Sequence, residues 1–298
     1  MNVAAQFPGV TFGYRDGADG VRLHYAEVLS TSSDRQPVVL LHGFPEFWYG
    51  WRHQIPALAA AGFRVVAPDL RGYNLSDKPP RVADFRLDRL AADVAALVRQ
   101  VAGETGRAHV VGHDWGGVVA WHLAMHHPEV VEKLVILNAA HPAAYWRELR
   151  RPGQLLRSWY VFFFQLPRVP EVIVRSRDFR SLRDLFRREP ARPGAFSEAD
   201  VDAYVEAFSQ PGALTAAMNY YRAAFRDGIG EAGRTVRPIG APTLLIWGQR
   251  EKYAVPAVTR GLEPWVPNLR IERLPDATHW VQHDEPETVN RLLLSFLS

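Results

Sequence analysis

Asp114 stands at the centre of Gly112-His113-Asp114-Trp115-Gly116, with small residues two places before and two places after it. An apolar run precedes it (residues 108–112) and a helical stretch follows (residues 116–127, stopped at Pro128), so the pentapeptide reads as a sharp strand-to-helix turn. Such a turn holds its central residue in a strained conformation, and bulk at the ±2 positions would clash. The spacing is that of G-x-S-x-G with Asp in place of Ser. The central side chain then projects at a helix N-terminus, where backbone N–H groups favour negative charge. The exchange of Ser for Asp changes the chemistry. A Ser oxygen attacks acyl carbon, whereas an Asp carboxylate displaces a leaving group from an sp³ carbon and is left as an alkyl ester. The same residues also fit a Gly-rich turn whose Asp merely caps the helix.

The elements that must position Asp114 follow from the apolar patterning. Residues 10–14 and 21–28, across a Gly/Asp-rich turn, read as a β-hairpin. Residues 38–42, 64–68, 108–112, 133–138, 243–247 and 269–274 read as strands, and 55–61, 87–101, 116–127 and 285–297 as helices. Strands alternating with helices predict an α/β architecture, a mostly parallel sheet with helices on both faces. From about His141 to Arg237 the rhythm breaks. That stretch lacks β-branched strand runs, is rich in Arg, Phe, Tyr and Pro, and predicts helices over 177–188, 198–209 and 213–226. The expected organisation is a core of residues 1–140 and 238–298 with an inserted helical cap of residues 141–237.

Composition removes other chemistries. The 298 residues include no Cys, so there is no disulfide scaffold, thiolate metal site or Cys nucleophile. The net charge of +3 is too small to argue for nucleic acid, and 32 of the 35 basic residues are Arg, which accounts for a pI near 9.2. Residues 141–240 hold 16 Arg, no Lys and 11 acids, a net +5, so the remainder is slightly acidic at −2. The N-terminus has no positive n-region or apolar h-region, and the run 159–164 is far short of the roughly 20 residues that span a bilayer. A cytoplasmic location is expected. His122 and His126, spaced i, i+4, have no zinc-motif Glu between them and read as helix-surface residues. The basic stretch 177–188 reads as a solvated face.

With these elements in place the chain resembles the α/β-hydrolases, whose chain order is nucleophile, acid, His. His42-Gly43-Phe44-Pro45-Glu46 resembles the HGFPE segment of the epoxide hydrolases within that fold. The resemblance implies an oxyanion hole made by the N–H groups of Phe44 and Trp115, and a cis Phe44–Pro45 bond. It makes His279, in Asp276-Ala277-Thr278-His279-Trp280-Val281, the general base, and puts His283 at a solvated helix start. The turn Trp247-Gly248-Gln249-Arg250-Glu251 resembles W-G-E-x-D, with Glu251 as orienting acid where Asp is usual. The rival acid position holds Asn138, which carries no charge. The run from Asp69 to Asp77 resembles the D-x-R-G-x-G-x-S turn, with Asn74 at the second Gly, and reads as structural.

Two cap segments complete the resemblance. Trp159-Tyr160-Val161-Phe162-Phe163-Phe164-Gln165 and Asn219-Tyr220-Tyr221-Arg222 match those bearing ring-opening tyrosines, at Tyr160 and Tyr221, with Tyr220 adjacent. A phenol of pKa about 10 stays protonated at neutral pH and can donate to a developing alkoxide. Phe44, Pro45, Trp115 and Trp280 are expected to line the substrate pocket. The implied activity is epoxide hydrolysis to a vicinal diol through an alkyl ester of Asp114, with a small-molecule epoxide and water as the partners. No cofactor, metal, nucleic acid or membrane is implied, and the oligomeric state stays open. Two alternatives remain: a haloalkane dehalogenase using the same Asp, and a non-catalytic hydrolase fold that binds a small ligand. Phe at position 44, rather than a halide-binding Asn, speaks against the dehalogenase; Trp115 does not discriminate between the two families, and its place where fluoroacetate-type dehalogenases have Arg speaks against carboxylate substrates.

Overall fold

In the computed structural model, which describes residues 7, 9–30, 35–226 and 236–298, the predicted hairpin pairs β1 (Thr11–Asp16) with β2 (Arg22–Val28) in antiparallel register, Thr11 opposite Glu27. Six further strands follow: β3 (Val38–Leu41), β4 (Val65–Pro68), β5 (Ala108–His113), β6 (Val131–Leu137), β7 (Thr243–Gly248) and β8 (Leu269–Leu274). The sheet order is β1-β2-β4-β3-β5-β6-β7-β8, and every pair from β4 to β8 is parallel. The N-terminal residues read above for a leader peptide, and residues 227–235 near the end of the predicted cap, fall outside the described residues.

The central strands are continuous apolar runs because both of their faces are covered. All residues of β3, β4, β5 and β7 are buried, and each buried Val, Leu or Ile contributes about 1.5–3 kcal/mol. On the faces lie α1 (Gln54–Ala60), α2 (Leu87–Val101), α3 (Trp115–His126) and the C-terminal helix Pro286–Leu297. The turn from β5 into α3 is the one expected at Asp114. Helix α2 is amphipathic, whereas α3 buries nine of its twelve residues, Trp115 to Met125, because it is enclosed.

Between β6 and β7 the described residues form six helices and no strand: α4 (Pro142–Leu149), α5 (Pro152–Arg157), α6 (Trp159–Phe163), α7 (Val169–Arg188), α8 (Glu198–Ser209) and α9 (Ala213–Arg226). Helix α8 opens on a capping box, Ser197 Oγ accepting from the Asp200 N–H. Helix α7 is broken from Ser176 to Phe179, where Arg177, Asp178 and Phe179 take positive φ. The regular helix predicted from residue 177 is the part beyond that break. Among the described residues no helix is long and apolar enough to cross a membrane.

The Asp69–Asp77 turn is structural. Asp69 accepts from the Trp48 N–H (3.0 Å) and the Asn74 amide (2.8 Å), and Arg71 pairs with buried Asp93 at 2.7 Å. Asn74, standing at the motif's second Gly, has φ +42, the left-handed angle its side chain tolerates.

Candidate active site

Asp114 has φ +48 and ψ −120, a conformation that costs a non-glycine residue about 1–2 kcal/mol. It is held there by close packing on both sides. A Cβ on Gly43 would lie 2.6 Å from the Asp114 Oδ1, and one on Gly112 would lie 2.8 Å from the Gly117 Cα. A Cβ on Gly116 would run into the Leu41 and His42 carbonyls. The strand ends therefore approach α3 closely enough to place three other loops around the carboxylate.

Each loop follows a parallel strand at its carboxyl end, the usual site of a crevice in such sheets. The loop after β3 contributes Phe44, whose N–H donates to Asp114 Oδ1 at 2.7 Å; the Phe44–Pro45 bond is cis. The loop after β8 contributes His279, with its Nε2 3.7 Å from Asp114 Oδ2. The loop after β7 contributes Glu251, whose Oε2 takes the His279 Nδ1 at 2.7 Å. Oδ1 is thus engaged by a backbone donor, while Oδ2 faces the imidazole across a gap too long for a direct hydrogen bond.

Electrostatics ties the three groups together. Burial opposes charge on His279, but the Glu251 carboxylate, its hydrogen bond and the Asp114 carboxylate prevail and raise the imidazole to about 9. Burial likewise opposes charge on Glu251, and His279 reverses it, holding the carboxyl below its ordinary value.

Two supporting residues escaped the sequence reading. Asn138, set aside above as an uncharged rival to Glu251, donates its amide to Glu251 Oε2 at 2.7 Å and accepts the Gly248 N–H at 2.9 Å. It holds the Glu251 carboxylate in place. Glu46, the last residue of the HGFPE segment, is fully buried beneath the site. It accepts from His283 Nε2 (2.7 Å), the Gln282 amide (3.0 Å) and the Tyr204 hydroxyl (3.3 Å), and lies 3.0 Å from His113 Nδ1. Burial pushes this carboxyl up, and the two histidines override it and hold it far down. His113 in turn places Nε2 2.9 Å from the His279 carbonyl, so the residue before Asp114 braces the loop that carries His279. His283 is therefore fully buried, a correction to the solvated position expected for it, because Glu46 offers it a partner in the core.

A cavity of about 440 Å³ opens over Asp114. Its wall includes Trp115, Tyr160, Tyr221, Glu251, Tyr253 and His279. The rings of Tyr160 and Tyr221 are 5.8 Å apart, and Tyr221 stands edge-on to Trp115 at 5.0 Å. Burial first, then neighbouring groups that include the Asp114 carboxylate, raise both phenols well above 10. The adjacent Tyr220 is committed elsewhere, donating its hydroxyl to the Arg71 carbonyl at 2.7 Å.

Three expected pocket residues, Phe44, Pro45 and Trp280, are not in the wall. Phe44 meets the site through its N–H, while its ring packs against Phe164, Phe208 and Tyr221. Pro45 is buried behind it, and Trp280 points into an aromatic cluster with Phe186 and Phe196. Conversely, His122 and His126, expected on the helix surface, line the cavity with rings 4.2 Å apart, because the inserted helices cover that face of α3. His122 lies eight residues beyond Asp114, about 12 Å along a helix rising 1.5 Å per residue. The cavity therefore extends along α3, and its wall is mostly apolar.

The inserted helices also grip the loop that carries Glu251. Gln154, fully buried on α5, donates to the Tyr253 carbonyl and accepts the Val255 N–H, both at 2.9 Å. Arg157 donates to the Glu251 carbonyl at 3.2 Å, and the Tyr253 hydroxyl to Glu189 at 2.7 Å.

Comparison with known proteins agrees with this geometry. A family model described as the alpha/beta hydrolase fold matches residues 36–286. An AB hydrolase superfamily protein of Bacillus subtilis is 42% identical over 282 residues, 94% of this chain and 95% of the relative. Epoxide hydrolase 4 of Mus musculus is 38% identical, over 93% of this chain and 77% of the relative. Among solved structures, an epoxide hydrolase from Bacillus megaterium in complex with an inhibitor superposes with a TM-score of 0.83 at 32% identity, covering 96% of this chain and 99% of that one.

Proposed function

The chain belongs to the epoxide hydrolase family of the α/β-hydrolase fold, and from that premise we propose that it opens an epoxide by attack of Asp114 and hydrolyses the resulting ester to a vicinal diol. The observation that carries this reading is one cavity presenting a carboxylate nucleophile together with two phenols, Tyr221 buried and Tyr160 half-buried. A halide leaving group needs no proton, whereas an opening epoxide does, and Tyr160 and Tyr221 are the proton donors at hand.

In the first half-reaction Asp114 Oδ2, the oxygen not held by Phe44, attacks a ring carbon. The carbon–oxygen bond of the ring breaks, and a tyrosine O–H gives its proton to the alkoxide, leaving a phenolate and an alkyl ester. In the second, His279 Nε2 takes a proton from water, and the hydroxide adds to the ester carbonyl. The carbonyl oxygen is Oδ1, already paired with the Phe44 N–H, which stabilises the negative charge as it develops; the Trp115 N–H is placed to join it by the family resemblance. Collapse expels the diol oxygen, which is protonated from the imidazolium, and a proton returns to the phenolate.

The raised pKa of His279 belongs to the free enzyme, where Asp114 is ionised. Esterification removes that negative charge, so the imidazole pKa falls and the base becomes competent only after the ester exists. The inserted helices act as a cap that excludes water and holds the phenols, and the long apolar cavity suits an aryl or extended alkyl epoxide. The test is repeated turnover of an aryl epoxide in ¹⁸O-water followed by mass spectrometry of the Asp114 peptide. Label accumulating in Asp114 is expected; unlabelled Asp114 with labelled diol means direct attack by water and overturns the ester route.

A further inference from the structure

Helix α5 is built inside out. Gln154 and the C-cap Ser158 are buried, while Leu155 and Leu156 are 46% and 74% exposed. The pattern continues along the chain: Trp159 is 64% exposed, and Phe162, Leu166, Val169, Val172 and Ile173 are exposed as well. They lie on three successive helices, Leu155 and Leu156 on α5, Trp159 and Phe162 on α6 beside Tyr160, and Val169, Val172 and Ile173 on α7, with Leu166 in the link between α6 and α7. Apolar groups at such spacing ordinarily face a core, and here they face outward. Single exposed apolar groups need no explanation, but eight within nineteen residues mark a surface that binds something.

Charge selects the occupant. Within residues 155–180 stand five arginines and two acids, and both acids are already engaged, Glu171 with Arg222 and Asp178 with Arg183. Arg168, Arg175 and Arg177 are exposed and have no carboxylate partner among the described residues. Arg168 and Arg175 line a surface groove of about 480 Å³ together with Val172. A second copy of this chain would bring the same surplus of positive charge to a two-fold contact, whereas an anionic lipid surface neutralises it and accepts the apolar groups between the arginines. The stripe also reaches the active-site cavity. Phe162 lines that cavity and is 43% exposed, and its ring lies 5.8 Å from Phe225, which lines the cavity and is exposed too.

We propose that residues 155–177 dock the protein on an anionic membrane surface, with the cavity mouth beside the contact so that apolar substrate enters from the lipid. The chain carries no spanning helix among its described residues, so the contact is peripheral and reversible.

The test is co-sedimentation of the full chain with phosphatidylcholine vesicles, with and without about 30 mol% phosphatidylglycerol. Binding is expected only with phosphatidylglycerol and falls with added salt. Each arginine near such a surface contributes about fivefold to binding, so the Arg168→Glu/Arg175→Glu pair is expected to lower it by well over tenfold. A second variant, Leu156→Ser/Val172→Ser/Ile173→Ser, is expected to abolish binding while turnover of a water-soluble epoxide is retained, which shows that it folds. Equal binding to both vesicle types, or to neither, overturns the proposal. So does sedimentation velocity showing a dimer that the triple variant dissociates, which assigns the stripe to a protomer contact. Because binding is read without turnover, failure here leaves the proposed reaction standing, and the converse also holds.

Discussion

Glu251 governs His279 from both directions, fixing its ring by the 2.7 Å hydrogen bond and supplying the strongest upward pull on its pKa. Glu251→Gln keeps the shape and removes the charge. The hydrolytic half-reaction is expected to fall about 10²-fold or more, with its pH limb displaced downward. In the proposed mechanism that limb rises with pH in the unaltered enzyme as the imidazolium deprotonates, with an apparent pKa expected below about 9 because an ester would remove the Asp114 charge. Rapid-quench measurement of ester decay against pH checks both; a limb that stays put in Glu251→Gln removes the acid from the assignment. At the other face of the cavity, Tyr160→Phe and Tyr221→Phe are each expected to slow ester formation more than tenfold, about the contribution of one general acid, while ester decay is unchanged. Equal loss in both halves would instead mean a packing defect. Sequence motifs made Asp114, His279 and Glu251 legible because each sits at a fixed offset in a loop. Asn138 and Glu46 were not legible: their partners lie 113 and 237 residues away, and no local pattern encodes such contacts.

The elbow shows at the scale of an element why glycine spacing was so informative. Gly116 lies where α3 passes beneath the Leu41 and His42 carbonyls, so backbone meets backbone and nothing can give. Gly116→Ala is expected to destabilise the fold by about 1–3 kcal/mol or more, read as a lowered denaturation midpoint with unchanged slope. The alternating strands and helices of the core could be read from periodicity because burial is one-sided on α2 and complete on β3, β4, β5 and β7. In the inserted segment the same reading gave α8 and α9 at their observed bounds, but it missed the first three helices. Helices α4, α5 and α6 are short, α4 and α5 open on Pro, and α5 buries Gln154 and its C-cap Ser158 while exposing Leu155 and Leu156, which inverts the rule that periodicity relies on. His122 and His126 were misread for a related reason: a helix face is a surface only until another element covers it.

Across the whole molecule, titration sets a window of stability. Burial lowers His53, His109, His122 and His141 to about 4 and His283 to about 3. In the unfolded chain each takes up a proton near 6.5, so the stability they confer is complete above that pH and is lost as pH falls toward 4. His279 works in the opposite sense. Its raised pKa gives stability that is complete below 6.5 and is lost as pH rises through about 9. Calorimetry is expected to show Tm falling steeply between pH 6.5 and 4 and more gently toward pH 9; a flat acid limb would mean these histidines are solvated in the native state. The grip of Gln154 and Arg157 on the loop carrying Glu251 bears on how such a molecule can be rebuilt. The portable module is not the inserted helices alone, because they and the acid's loop share one set of main-chain bonds. A graft that moves residues from Pro142 onward must carry Glu251 to Val255 with it, so the inserted helices and that loop travel as one piece.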